Sequence, residues 1–168
     1  MAPFPPGKGG GQGVECGFKG KGVLIHSIVD ARGMPLTVCI TGANASERAQ
    51  VLPRLDSLDV RTGKSGRPRR RPKQLAADKG YDSKELRAEL RRRNIRPELP
   101  KRVWKTRKQP PGRKLQKCVD RFVVERTFSW YQRKFRRLVV RWERKPEVFE
   151  AFVSLGFAWI WLTRLIVG

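Results

Sequence analysis

Histidine, acid and paired cysteine are all scarce in this chain, and each shortage removes a class of chemistry. The one histidine, His26, cannot build a His-rich metal cluster, and it lies in a strand-like run where a structural role is expected. The three cysteines, Cys16, Cys39 and Cys118, are odd in number and far apart. With no Cys-x-x-Cys pair, neither a zinc ribbon nor a disulfide framework is supported, and a reducing cytosol is the simplest compartment. The N-terminal stretch is rich in Pro and Gly and does not read as a secretory signal. The uncharged run Ala151–Thr163 is 13 residues long and is followed by Arg164. That length favours a buried helix over a membrane span, so no membrane partner is expected.

What the chain has in excess is positive charge. Its 168 residues carry 38 Lys and Arg against 15 Asp and Glu, a formal net charge of +23. The length suffices for one domain with a real core. The charge makes a polyanion the obvious partner, through counterion release along a phosphate backbone. Arginine suits bidentate phosphate contacts. Charge alone would equally fit a ribosomal RNA-binding protein or a protein of a membrane surface.

Residues 1–22, rich in Gly, Pro and Lys, read as an extended or mobile arm ahead of a folded unit over 23–168. The β-branched run Val23–Val29, a turn at Asp30–Gly33 and the run Pro35–Thr41 predict a hairpin, with Asp30 as a turn residue. Residues 47–58 read as a helix interrupted by Pro53. Arg61–Lys73 carries seven Lys and Arg and no acid, a solvated charge run or a phosphate-contact loop that includes Arg69, Arg70 and Arg71. A short strand over residues 74–77 ends at Asp78. Asp82 and Glu85 have capping-box spacing, so Asp82 is expected to cap a helix running to about Arg93. A further strand spans residues 95–99.

Lys101–Lys117 carries eight Lys and Arg and no acid. Lys101, Arg102 and Lys105 surround Trp104, which suits base stacking beside phosphate contacts; a disordered basic loop fits the same composition. Residues 119–142 read as one long helix and residues 147–167 as a second, whose apolar stripe is expected to pack the core. Strands alternating with helices predict an α/β fold, a mixed sheet with helices on its faces.

Against this basic background two acids stand out. Asp82 has a capping role, whereas no local structural reason is visible for Asp78. Glu125 lies in an arginine-rich helix. Mg²⁺ favours carboxylate and water ligands, and two ions about 4 Å apart stabilise the attacking and leaving oxygens of phosphoryl transfer. An acid at a strand end and an acid on a helix can converge on such a centre. Helical spacing sets Arg121, Glu125 and Gln132 on one side, with Arg126, Arg133, Arg136 and Arg137 widening the basic surface. An ordinary intrahelical pair between Glu125 and Arg121 fits the same pattern equally well.

Several motifs are recognisable in order. Ala76-Ala77-Asp78-Lys79-Gly80-Tyr81-Asp82-Ser83 resembles the block around the second catalytic aspartate of DDE transposases of bacterial insertion sequences. Arg121-Phe122-Val123-Val124-Glu125-Arg126-Thr127-Phe128-Ser129-Trp130 resembles the block that carries their catalytic glutamate, and Phe135-Arg136-Arg137-Leu138 and Arg141-Trp142-Glu143-Arg144 continue it. Upstream, Val29-Asp30-Ala31-Arg32-Gly33-Met34-Pro35-Leu36 and Thr41-Gly42-Ala43-Asn44 match the family's hairpin and following loop.

The resemblance implies an RNase H-like mixed sheet flanked by helices. It implies a Mg²⁺ (or Mn²⁺) site in which Asp78 is the second acid and Glu125 the third, acting on the double-stranded DNA of transposon ends and target. Arg121 corresponds to the arginine of the glutamate signature, while Cys118 and Gln132 stand where that signature usually has tyrosine and often has lysine. The family's first aspartate would fall at about Met1 or upstream, and no acid stands there. The sheet's first strand is therefore expected to be missing and the isolated chain to be inactive. The alternative is a binding-only protein that holds transposon ends or inhibits a full-length transposase. The implied partners are DNA and a second copy or a full-length transposase, in the bacterial cytoplasm at the nucleoid.

Overall fold

The computed structural model describes residues 5–61, 63, 65–101 and 122–167. It is a mixed α/β structure. Strands β1 (Glu15–Gly17), β2 (Gly20–Val29) and β3 (Pro35–Gly42) are followed by α1 (Val51–Asp56), β4 (Gln74–Ala76), α2 (Lys84–Arg92), β5 (Arg96–Glu98), α3 (Phe122–Lys134) and α4 (Pro146–Val167). The first three strands form one antiparallel sheet in the order β1-β2-β3, and β4 and β5 form a separate parallel pair.

The β2–β3 hairpin follows from its residues. Val23, Ile25, Val38 and Ile40 face one hydrophobic cluster, while Ile28 packs against another, the alternation of a strand covered on both faces. Asp30 builds the turn: its Oδ1 accepts from the backbone N–H groups of Arg32 (2.9 Å) and Met34 (2.8 Å). Gly33 has φ of +86°, a conformation that glycine adopts without a Cβ clash.

The two clusters divide the molecule. One joins Val23, Ile25 and Met34 to Phe128 and Tyr131 of α3 and to Phe149, Val153, Phe157 and Ile160 of α4. Gly156 lets α3 and α4 close, since a Cβ there would lie 3.1 Å from the Tyr131 ring. The other joins Leu55 of α1 and Leu58 after it to Leu86 and Leu90 of α2, Ile95 and Leu99, with Leu75, Ala77 and Tyr81 against it. Each such side chain contributes about 1.5–3 kcal/mol by leaving water.

Several local features differ from what the sequence pattern predicts. Ser83, not Asp82, caps α2: its Oγ accepts from Leu86 N–H at 3.0 Å. Asp82 instead pairs with Arg87 Nε at 2.7 Å, and Arg87 Nη2 donates to the Leu99 carbonyl at 2.7 Å, tying α2 to the end of β5. α2 stops at Arg92, and Asn94 beyond it takes φ of +56°, a left-handed exit that asparagine tolerates. α1 begins only at Val51, which leaves Pro53 in the first turn, where no backbone N–H is needed. The expected long helix ends at Lys134. Phe135 leaves helical geometry, and a short turn at Arg136–Leu138 buries Leu138.

Arg141 explains where the chain goes next. It is fully buried, and its Nε donates to the Glu143 carbonyl (2.9 Å) and its Nη2 to those of Gln12 (2.6 Å) and Arg144 (3.1 Å). Backbone bonds join Arg141 N–H to the Pro6 carbonyl (2.9 Å) and Gly9 N–H to the Arg141 carbonyl (3.3 Å). The described part of the Gly/Pro-rich arm is therefore held against the C-terminal region, and residues 15–17 and 20–22 already lie in strands. The arm also reaches the edge of β2: Val23 N–H donates to the Pro5 carbonyl at 3.1 Å and Gly7 N–H to that of Lys21 at 3.2 Å.

α4 departs from expectation as well. It buries only one side, and as a 21-residue span it is long and apolar enough to cross a membrane by length and composition. The same helix packs on the sheet: Trp161 Nε1 donates to the Pro35 carbonyl at 2.7 Å.

Candidate functional site

Asp78 follows β4 at its C-terminal end and is exposed. It has a structural task that the sequence did not reveal: its Oδ1 accepts from Lys79 N–H at 2.7 Å and opens the turn Lys79–Tyr81. Behind that turn Tyr81 donates its hydroxyl to Glu47 Oε2 at 2.8 Å, and Arg48 Nη2 donates to the Gly80 carbonyl at 3.1 Å. Burial, the bond to Glu47 and the charges of Glu47 and Asp78 all push the Tyr81 phenol up, so it stays protonated and donating. Two consecutive residues of the β3–α1 connection thus brace the loop that presents Asp78. Neither was singled out from sequence; the signal was Glu47, one of few acids, beside the block that resembles the family's loop.

Glu125 lies in the first turn of α3 and is exposed. Among the described residues it has no ion-pair partner; Arg121, the partner considered from spacing, lies outside them. The helix that carries it is fixed by Thr127, whose Oγ1 donates to the Gly33 carbonyl at 2.5 Å and sits 2.9 Å from that of Val123. Arg126 Nη2 adds a bond to the Arg32 carbonyl at 3.2 Å. The β2–β3 turn therefore sets where the first turn of α3 stands.

The remaining basic positions divide by what holds them. Lys101, Arg69, Arg70, Arg71, Arg126, Gln132, Arg133, Arg136 and Arg137 are all exposed. Arg137 is paired with Glu143 at 2.7 Å and Arg70 with Asp59 at 3.8 Å. Arg126 and Arg164 each place a guanidinium 5.2 Å from the Trp130 ring, a cation–π arrangement. Arg102, Lys105, Trp104 and Cys118 lie outside the described residues. His26 is buried and bonded to Thr41 Oγ1 at 2.7 Å, in keeping with a structural role.

Comparison with known proteins decides the family. The model of the transposase DDE domain matches residues 4–161. The chain belongs to the transposase DDE domain family. It is 41% identical over 131 residues to a protein of Burkholderia cepacia described as a putative transposase for insertion sequence element IS402. That alignment covers 78% of this chain but 58% of the relative's length. It is 28% identical over 138 residues to a protein of Brucella ovis described as a putative transposase for insertion sequence element IS6501, covering 82% of this chain and 96% of the relative. No solved structure gives a significant match.

Among the described residues no group of three or more His, Cys, Asp or Glu side chains is placed to hold an ion. Asp78 and Glu125 are carboxylates of the right hardness for Mg²⁺, but the donor set they offer is incomplete.

Proposed function

We propose that this chain is the Asp78- and Glu125-bearing part of an insertion-sequence transposase that acts on double-stranded DNA. The observation that carries the reading is an exposed acid at the C-terminal end of β4 and another exposed acid on α3, in a chain matched to the DDE domain from residue 4 to 161. A divalent ion, when bound, would supply charge neutralisation at the scissile phosphate and activation of the attacking oxygen. Asp78 and Glu125 would be two of its ligands, and a third acid has to come from outside the described residues. Arg133, Arg136 and Lys101, with the basic stretch 67–71, would hold the phosphate backbone.

The fold is read as RNase H-like with its first strand lacking. Two features support this. The antiparallel sheet and the β4–β5 pair are separate, and Pro5–Gly7 lies along the edge of β2 at Lys21–Val23.

The test joins an aspartate-bearing strand of the family to the N-terminus and measures joining of a labelled transposon end to plasmid DNA with Mg²⁺ or Mn²⁺. Activity that is lost with either Asp78→Ala or Glu125→Ala supports the reading; activity indifferent to both defeats it. A second reading, binding without catalysis, is favoured by the incomplete donor set. It expects end binding that weakens by orders of magnitude with moderate salt and no strand joining even with the restored segment.

A further inference from the structure

α4 buries one side and leaves the other bare. Phe149, Val153, Phe157 and Ile160 are in the core, whereas Val148, Phe152, Leu155, Trp159, Leu162, Leu165 and Ile166 are between 43% and 75% exposed. Leu165 stands at the margin of this face; the other six follow one another by steps of four, three, four, three and four residues. That alternation gives the exposed apolar face a central row with the spacing of a helix-pair seam.

The seam matches a second copy of itself. Its step pattern reads the same in both chain directions, so one helix laid antiparallel on another sets Val148 against Ile166, Phe152 against Leu162 and Leu155 against Trp159. A two-fold interface asks for this self-complementarity. Ala151 and Ala158, both exposed beside the seam, leave room for two backbones to approach. Opposed helix dipoles also favour the antiparallel arrangement.

Area and charge point the same way. A large aromatic presents roughly 150–250 Å², so six half-exposed large apolar side chains leave roughly 500 Å² on one copy. Two copies would bury about 1,000 Å², the scale at which a specific interface begins, and such a patch is at the upper end for a monomer. No Lys or Arg lies between Lys145 and Arg164, so this face offers nothing to phosphate. In a chain of net charge +23, a cation-free helix face is also where two copies repel each other least.

We propose that the exposed side of α4 is a homodimer interface, formed against the same helix of a second copy of this chain. This surface goes beyond the proposed function and does not rest on it.

Sedimentation equilibrium of the nuclease-treated 168-residue chain at high salt tests it. The expected result is a dimer that dissociates on dilution. Leu155→Glu, which puts a charge in the seam, and Ala158→Arg, which adds bulk and charge beside it, should each weaken association at least tenfold. Far-UV circular dichroism, and the thermal transition at a concentration where every variant is monomeric, should stay unchanged, since neither side chain is in the core; at higher concentration the parent should melt above both variants. Phe18→Glu, at the fully exposed tip of the β1–β2 hairpin, is the control and should leave the dimer intact. A monomer at every concentration, or a dimer indifferent to both α4 substitutions, overturns the proposal. So does a monomer that co-sediments with phosphatidylcholine–phosphatidylglycerol vesicles through Leu155, which would make this face a lipid-binding surface.

Discussion

The Thr127 hydroxyl donates to the Gly33 carbonyl at 2.5 Å across 94 residues of chain. Through this bond the turn of the β2–β3 hairpin holds the helix that carries Glu125. A Cβ on Gly33 would lie 2.9 Å from Thr127 Oγ1 and 3.2 Å from Val123 Cγ1, so hairpin and helix meet with no spare room.

Gly33→Ala should therefore be costly twice over, in backbone strain at φ of +86° and in collision with α3. A loss of about 2–3 kcal/mol is expected. Thr127→Val keeps the volume and removes the bond, leaving a buried carbonyl poorly satisfied, for about 1–2 kcal/mol. Urea unfolding of both variants checks this. Wild-type stability in Gly33→Ala would mean the turn and α3 do not meet as described.

Phe149 is fully buried where α4 meets the sheet and α3. Phe149→Ala should cost about 3–5 kcal/mol through lost transfer energy and a residual cavity. Phe152→Ala, one turn along the same helix but 47% exposed, should cost far less in the monomer. Denaturant midpoints of the two, measured at low concentration, separate the faces of α4.

Arg141 is a buried cation bonded to three carbonyls, one of them Gln12 of the arm. Burial pulls its acidity toward the neutral form, opposed by Glu143 and Glu147. Arg141→Met keeps the stem and removes the bonds. It should cost about 2–4 kcal/mol and release the arm, seen as faster proteolytic cutting between Gly7 and Gly13. Unchanged cutting would show that the arm is held by its backbone bonds alone.

His26 gives a clean pH prediction because it is the one histidine. Burial, assisted by Arg54 and opposed by Glu47, lowers its pKa from the ordinary 6.5. The unfolded chain thus takes up a proton near pH 6.5, while the folded chain resists until lower pH. The contribution to stability is complete above 6.5 and is lost as pH falls below it toward the folded value. Proton NMR of the single imidazole should show a midpoint under 6.5, and a midpoint at or above 6.5 would contradict the burial.

The β2–β3 hairpin was legible because β-branched runs and the Asp30–Gly33 turn are local signals. Ser83 and Asp82 were not separable from sequence, since either residue makes a good cap; the choice is made by Arg87, which recruits Asp82 and the Leu99 carbonyl together. The end of α3 at Lys134 has no proline or glycine to announce it, because it is set by the burial of Leu138 and Arg141. Asp78 and Glu125 stood out in the sequence through scarce acid and motif order, and their role as metal ligands is the proposal made above. The bracing of the Asp78 loop by Glu47 and Arg48 was not legible, because it depends on contacts more than 30 residues apart. The exposed seam of α4 was hidden for a related reason: an apolar stripe looks the same whether it faces a core or another chain.

The most direct test of the account is metal-dependent joining of a transposon end to target DNA by the chain carrying an aspartate-bearing strand of the family at its N-terminus. Asp78→Asn and Glu125→Gln preserve size and remove charge. The account predicts that each lowers the joining rate at least a hundredfold while end binding stays within a few-fold of the parent. Joining that survives either substitution would contradict it.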